Sequence, residues 1–142
     1  MPNELDILEK CRLAEMAVLV NAGIDAAIVR NGKSTEPKEL PLVICRAESS
    51  REEPFGTGNF WVDLVVEIKT TGRDADSTAS NLLVANVMAA LEVDNLAALL
   101  MAGTANFTVF GFGEEKSQDL TEAGVIWLHR WMRRAHVCGA AL

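Results

Sequence analysis

The segment Phe60-Trp61-Val62-Asp63-Leu64-Val65-Val66-Glu67-Ile68-Lys69 constrains this chain more than any other. Phe60, Val62, Leu64, Val66 and Ile68 fall on one side of an extended chain and Trp61, Asp63, Val65, Glu67 and Lys69 on the other. That period-2 alternation predicts a half-buried β-strand, ended by Gly72. A strand with one apolar face needs a second layer to cover it, and the flanking sequence supplies helices. Asn3 to Ala22 reads as a helix with Asn3 as N-cap, Glu4 and Asp6 in the first turn and Gly23 as its stop. Its second half, Ala14 to Val20, is apolar almost all round, which predicts burial on more than one side.

Further along, Ala26 to Val29 is expected to be a short strand or helix tail before an Asn31-Gly32 turn. Leu42 to Ala47 is a short apolar strand with Pro41 at its start, a position where a missing N–H is tolerated. Glu48 to Asn59 is polar and broken by Pro54, Gly56 and Gly58, so it predicts a long connecting loop, functional or mobile. After the Phe60 strand, Asp74 or Asp76 caps a helix whose Val84, Val87, Met88 and Leu91 share one face. Asp94 caps a shorter helix with Leu96, Leu99 and Leu100 inward and Gly103 at its end. Phe107 to Phe110 reads as a strand, Gly111 to Thr121 as a second polar loop, and Gly124 to Cys138 as a long final strand. Residues 1–142 therefore form one α+β domain, a mainly antiparallel or mixed sheet with helices packed on one face. A chain of 142 residues buries enough surface to fold without metal or disulfide staples.

Composition narrows the function. The formal net charge of -7 opposes generic binding to nucleic acid or anionic membranes. The apolar stretches are too short or interrupted for a membrane span. Cys11, Cys45 and Cys138 are odd in number and widely spaced, and Met1-Pro2-Asn3-Glu4 carries neither a basic nor an apolar leader segment, so a reducing cytoplasm is expected.

The candidate catalytic motifs each fail on chemistry. Ala27 to Ser34 ends in Gly32-Lys33-Ser34 like a phosphate-binding loop, but Pro37 and Pro41 bar the helix whose amides would hold the phosphate. Gly111-Phe112-Gly113 lacks the third glycine of a dinucleotide fingerprint, and Glu114 and Glu115 would repel a pyrophosphate. Asp63 and Glu67 lie roughly 13 Å apart along a strand, too far for a carboxylate pair of glycosidase type. His129 and His136 are separated by about 23 Å of strand, so they cannot share a metal within one chain. No enzymatic activity, cofactor or metal is expected.

One cluster stands out in this acidic chain: Trp127, His129, Arg130, Trp131, Arg133, Arg134 and His136. Tryptophan and arginine are the residue types that dominate protein interfaces, and arginine pairs carboxylates bidentately. The cluster predicts an oligomer interface in which Trp127 and Trp131 are apolar anchors. Arg130, Arg133 and Arg134 would meet Glu52, Glu53, Glu114 or Glu115 of the next subunit. A core strand with snorkelling arginines and a phosphate-contacting strand are the competing readings.

The chain's layout resembles that of the tail terminator and tail-completion proteins of long-tailed bacteriophages. The likeness runs from the N-terminal helix through the Leu42 strand, the polar loop and the Phe60 to Ile68 strand. It continues through the Asp74-Ala75-Asp76 turn, the helix ending Ala89-Ala90-Leu91 and the final strand containing Trp127. The resemblance implies an α+β virion protein that closes into a homo-oligomeric, hexameric ring, caps the tail tube and forms the head-tail joint. Its partners would be itself, the tail tube protein and head-neck proteins, in the virion after synthesis in the host bacterial cytoplasm. No sequence-specific nucleic acid or membrane is implied, and no site residue is carried over from the family. Another neck or head-tail connector protein is the nearest alternative, and a small ligand-binding or enzymatic α+β domain is the alternative of a different class.

Overall fold

The computed structural model describes residues 4–24, 26–30, 41–52, 58–71, 78–102, 107–122 and 126–138. Among the described residues three helices and five strands follow one another as α1 (Glu4–Asn21), β1 (Ala27–Arg30), β2 (Leu42–Glu52), β3 (Asn59–Thr71), α2 (Thr78–Ala90), α3 (Val93–Met101), β4 (Thr108–Glu122) and β5 (Ile126–Cys138). The strands form one sheet in the order β1-β2-β3-β5-β4. β1 runs parallel to β2 and every other neighbouring pair is antiparallel, so the expected mixed α+β architecture is present. β3 and β4 run in the same direction with β5 between them, and α2 and α3 carry the chain across from one to the other. Parallel strands need such a crossover.

The alternation of β3 builds the core directly. Phe60, Val62, Leu64, Val66 and Ile68 are buried and meet Val43, Cys45 and Ala47 of β2 and Trp131, Ala135 and Val137 of β5 on the sheet's inner face. α1 lays Ile7, Cys11, Ala14, Val18 and Leu19 on that face, a spacing that follows the helical repeat. α2 contributes Leu83, Val87 and Ala90, with Leu91 just beyond its end, and α3 adds Leu96 and Leu100. The inward face of α2 is thus rotated from the expected one, with Val84 and Met88 only half-buried.

Helix α1 ends as its sequence dictates. Gly23 has φ +71°, its N–H donates to the Val20 carbonyl at 3.0 Å, and the Ile24 N–H reaches the Leu19 carbonyl at 3.3 Å. This paired pattern is a Schellman stop, which glycine adopts without a Cβ penalty. Along the helix, Asp6 pairs with Lys10 and Glu9 with Arg12, each at 3.1 Å. Burial is not all round: Leu13 and Val20 are exposed, while Glu15, inside the apolar stretch, is completely buried.

At α3 the N-cap residue is Glu92, with no side-chain cap, and Asp94 sits in the first turn instead. Asn95 does the local tying, donating from Nδ2 to the Ala90 carbonyl at 3.1 Å and so fixing the corner between α2 and α3. The Asn31-Gly32 turn, the Asp74 and Asp76 caps, Gly103 and the Asn31 to Ser34 half of the phosphate-loop-like stretch lie outside the described residues.

Two expected loops are strands. Glu48 to Glu52 continues β2 past an irregularity between Glu48 and Arg51, and Asn59 already belongs to β3, so the connection is far shorter than expected. Glu52 reaches across that connection, its carboxylate accepting from the Gly58 N–H at 2.8 Å. Gly111 to Thr121 is the greater part of β4, with irregularities between Val109 and Gly111 and between Phe112 and Glu115. Glu48 pairs with Arg130, Glu115 with Arg133 and Asp119 with His129, while Glu114, Lys116 and Gln118 are exposed, and the side of each backbone that faces the sheet is bonded in the ladder. Polarity there signals an exposed strand face and a sheet edge.

Candidate assembly surface

The sheet has a second face, turned away from the helices, and on it opposite charges alternate across three strands. Asp63 and Glu67 are four residues apart on β3, and Arg130 and Arg134 are four apart on β5. Antiparallel pairing brings Asp63 opposite Arg134 and Glu67 opposite Arg130. Asp63 accepts from Arg134 Nε at 2.9 Å, and this contact raises the Arg134 pKa. Arg130 reaches diagonally to Glu48 of β2 at 3.1 Å, and Arg46 pairs with Glu67. Val65 lies in the row between Glu67 and Asp63, in register with Arg46 and Met132, and has no exposed surface although no helix covers it. The aliphatic stems of Arg46 and Arg130, drawn diagonally to their carboxylates, account for that burial. Beyond these pairs the same face carries Lys69 and the buried Leu42, Ile44 and Leu128.

Toward its end the same face carries an aromatic stack. The Trp61 and His136 rings lie 4.1 Å apart and nearly parallel, and Phe110 tilts against His136 at 4.9 Å. Phe110 sits at the irregularity in β4 and is largely exposed, as fits the habit of bulges to turn a side chain outward.

The residues expected to form an interface are therefore distributed differently. Trp131 is fully buried in the core cluster, in register with Val66 on one side and Ser117 on the other, so it cannot anchor a second chain through exposed surface. Arg133 pairs with Glu115 and donates to the Gly113 carbonyl, both at 3.3 Å, within the same chain. The expected contact of Arg133 with Glu115 exists, but it joins β5 to β4 of one subunit. Arg130 and Arg134 are likewise engaged in their own chain, and Glu52 holds the Gly58 amide. Trp127 is placed by register opposite Thr70 and Thr121. Glu114 is exposed on β4, and Glu53 lies outside the described residues.

Sequence reasoning gave Arg130 and Arg134 the wrong acids because it had no strand partner for β5. The matched four-residue spacings of Asp63/Glu67 and Arg130/Arg134 held the signal, legible only once β3 and β5 are neighbours. His129 pairs with Asp119 at 2.6 Å on the inner side, whereas His136 stacks on the outer side. Among the described residues no group of three or more His, Cys, Asp or Glu is placed to hold a metal ion.

Among the described residues the sheet has two terminal strands, β1 and β4, and the β4 side also carries an apolar helix, α2. β4 is the terminal strand on that side, so among the described residues its outer backbone edge has no strand partner. Such an edge is a template for adding another strand, and its Glu114, Glu115, Lys116 and Asp119 blunt indiscriminate pairing. α2 lies beside it, where Ser117 of β4 meets the Met88 sulfur at 4.0 Å. The sequence of α2, Thr-Ala-Ser-Asn-Leu-Leu-Val-Ala-Asn-Val-Met-Ala-Ala, contains no charged residue. Leu82, Ala85 and Ala89 are exposed on it, and Val93 and Met101 extend the exposed apolar positions along α3. No single described helix is long and apolar enough to cross a membrane; α2 and α3 reach that test only as a pair, bent by 54°. Compared with known proteins, the chain matches no family model, and no curated protein sequence matches it.

Proposed function

We propose that this chain is a structural virion protein of a long-tailed phage, a tail terminator that caps the tail tube at the head-tail joint as a homo-oligomeric ring. The resemblance of its layout motivates the family, and the free edge of β4 beside the charge-free helix α2 supports an assembling subunit. The charge-free side of α2 buries without desolvating charge, and a strand edge supplies directional main-chain hydrogen bonds. A heterologous contact from that surface to a different patch of the next copy closes into a ring when its rotation divides a full turn. Six copies follow from the resemblance. The arginines of β5, satisfied inside each subunit, then stiffen the protomer and the subunit contact belongs to α2 and β4. The chain's role in this reading is to bind and position, with no chemical step.

The test is to incubate the purified chain with headless tail tubes and image them by negative stain. Rings seated on one end of each tube support the reading. Rings that bind isolated heads and leave tubes bare indicate another neck or connector protein. A chain that stays monomeric in the presence of both overturns the ring assignment.

A further inference from the structure

Glu15 is the one described side chain whose chemistry contradicts its surroundings. It projects from α1 into the core with no exposed surface, and neither carboxylate oxygen has a hydrogen-bond partner. Burial without a side-chain hydrogen-bond partner favours the neutral carboxyl over the carboxylate. Burial pushes its pKa well above the ordinary value; Arg12 and the Val65 backbone amide pull it down in part, and Glu48 adds to the rise. The other titratable neighbours are Cys11 on α1 and Cys45 on β2, two buried thiols themselves pushed up by burial and by Glu15. From α2 and α3 the inward side chains are Leu83, Val87, Leu96 and Leu100, none of them charged. Arg12, the nearest cation, is committed to Glu9 at 3.1 Å and to the Ala47 carbonyl at 3.5 Å.

We propose that Glu15 is a proton-controlled latch on α1. Neutral, it lies in the core between α1, β2 and β3; ionised, it drives α1 off the sheet and uncovers the apolar face of Val43, Cys45, Ala47, Leu64 and Val66. The helix packs on β2 and β1 and against α3, and it would leave all of them together as a unit, with Leu13 and Val20 on its remaining side already in solvent. Its ends are self-contained through the Gly23 stop and two ion pairs within the helix. The direction follows from linkage. The released helix exposes Glu15 to water, where it has an ordinary carboxyl pKa, so release gives up one proton. The open population then rises tenfold per pH unit above that ordinary value until the docked carboxyl itself titrates. Below about pH 8 the thiols stay protonated in both states, leaving Glu15 alone to set the slope. This latch stands whether or not the chain forms a ring.

Cys11 and Cys45 are built-in reporters, since both thiols lie under α1 while Cys138 is partly exposed. The experiment measures 4,4′-dithiodipyridine labelling of each cysteine between pH 5 and 8. Each rate is divided into that of the urea-unfolded chain at the same pH, which cancels intrinsic thiol reactivity. In the wild type the protection of Cys45 should fall as pH rises, by up to about tenfold per pH unit, while the amides of Val62, Leu64 and Val66 stay protected from exchange. In Glu15→Gln it should be flat, with Glu15→Met replacing that variant where the amide fails to fold. Equal slopes in wild type and variant overturn the latch, as does loss of β3 amide protection in step with Cys45, which signals global unfolding. Failure of both variants to fold also overturns it, because the carboxyl would then be a structural requirement.

Discussion

Replacing Trp131 by alanine separates a core role from an interface role for the Trp/Arg strand. Trp131 has no exposed surface and lies on the central part of the sheet's inner face, where β5 is flanked by β3 and β4. Truncating a fully buried aromatic removes its transfer free energy and leaves a cavity, a combined cost of about 3–5 kcal/mol. For a domain of this size that is a large part of a typical total stability of about 5–15 kcal/mol. Trp131→Phe should behave differently. The indole Nε1 has no hydrogen-bond partner, so the phenyl ring gives up no polar interaction and loses only volume. Its cost should stay below about 2 kcal/mol. Urea unfolding followed by far-UV circular dichroism at low protein concentration provides the assay, because a shift in midpoint at unchanged slope reports stability alone. A Trp131→Ala variant within about 0.5 kcal/mol of wild type would refute the core assignment. So would a variant whose only defect appears at concentrations where the protein associates.

Three further outcomes follow from the same structure. Gly23→Ala should destabilise by about 1 kcal/mol from backbone conformation alone, because a Cβ there meets nothing within 4 Å; Gly23→Asn should recover part of the loss. Arg130→Ala should unfold about 1 kcal/mol more easily than Arg130→Met, which keeps the stem beside Val65, and Val65 amide exchange should accelerate only in the alanine variant. Arg134→Ala, which removes a guanidinium that is mostly in solvent from the largely covered Asp63, should move the unfolding midpoint only slightly, and less at high salt than at low.

The helices and the central strand were legible because their signals are local. The Phe60 to Ile68 alternation, the Gly23 stop and the inward Leu96 and Leu100 each need only a few residues of context. β4 was not legible. Its run from Gly111 to Thr121 is polar on both faces because it forms the edge of the sheet, and polarity without a buried face resembles a loop. The extension of β2 from Glu48 to Glu52 was hidden for a related reason, since the partner that offsets the Glu48 charge comes from β5, 82 residues away. Trp131 was misplaced by its neighbours. Arg130, Arg133 and Arg134 suggested a wet strand, yet alternation gives Trp131 the face under the helices, where Arg133 pairs with Glu115 toward the β4 edge, while Arg130 and Arg134 line the other side. Glu15 was overlooked because one acid in an apolar run resembles a solvated exception, and only the packing of α1 on β2 and β3 shows it to be enclosed.

The central claim is that α2 and the edge of β4 join one copy of the chain to the next. Native mass spectrometry of the wild type and Leu82→Glu, alone and after mixing with tail tubes, tests it directly. Leu82 is 58% exposed, so the substitution should leave protomer stability within about 0.5 kcal/mol while placing a charge on the uncharged side of α2. The account predicts a closed oligomer, with six copies as the expected number, for the wild type and at least a tenfold loss of that species for Leu82→Glu. A wild type that remains monomeric with tubes present, or a Leu82→Glu variant that assembles as the wild type does, would contradict it.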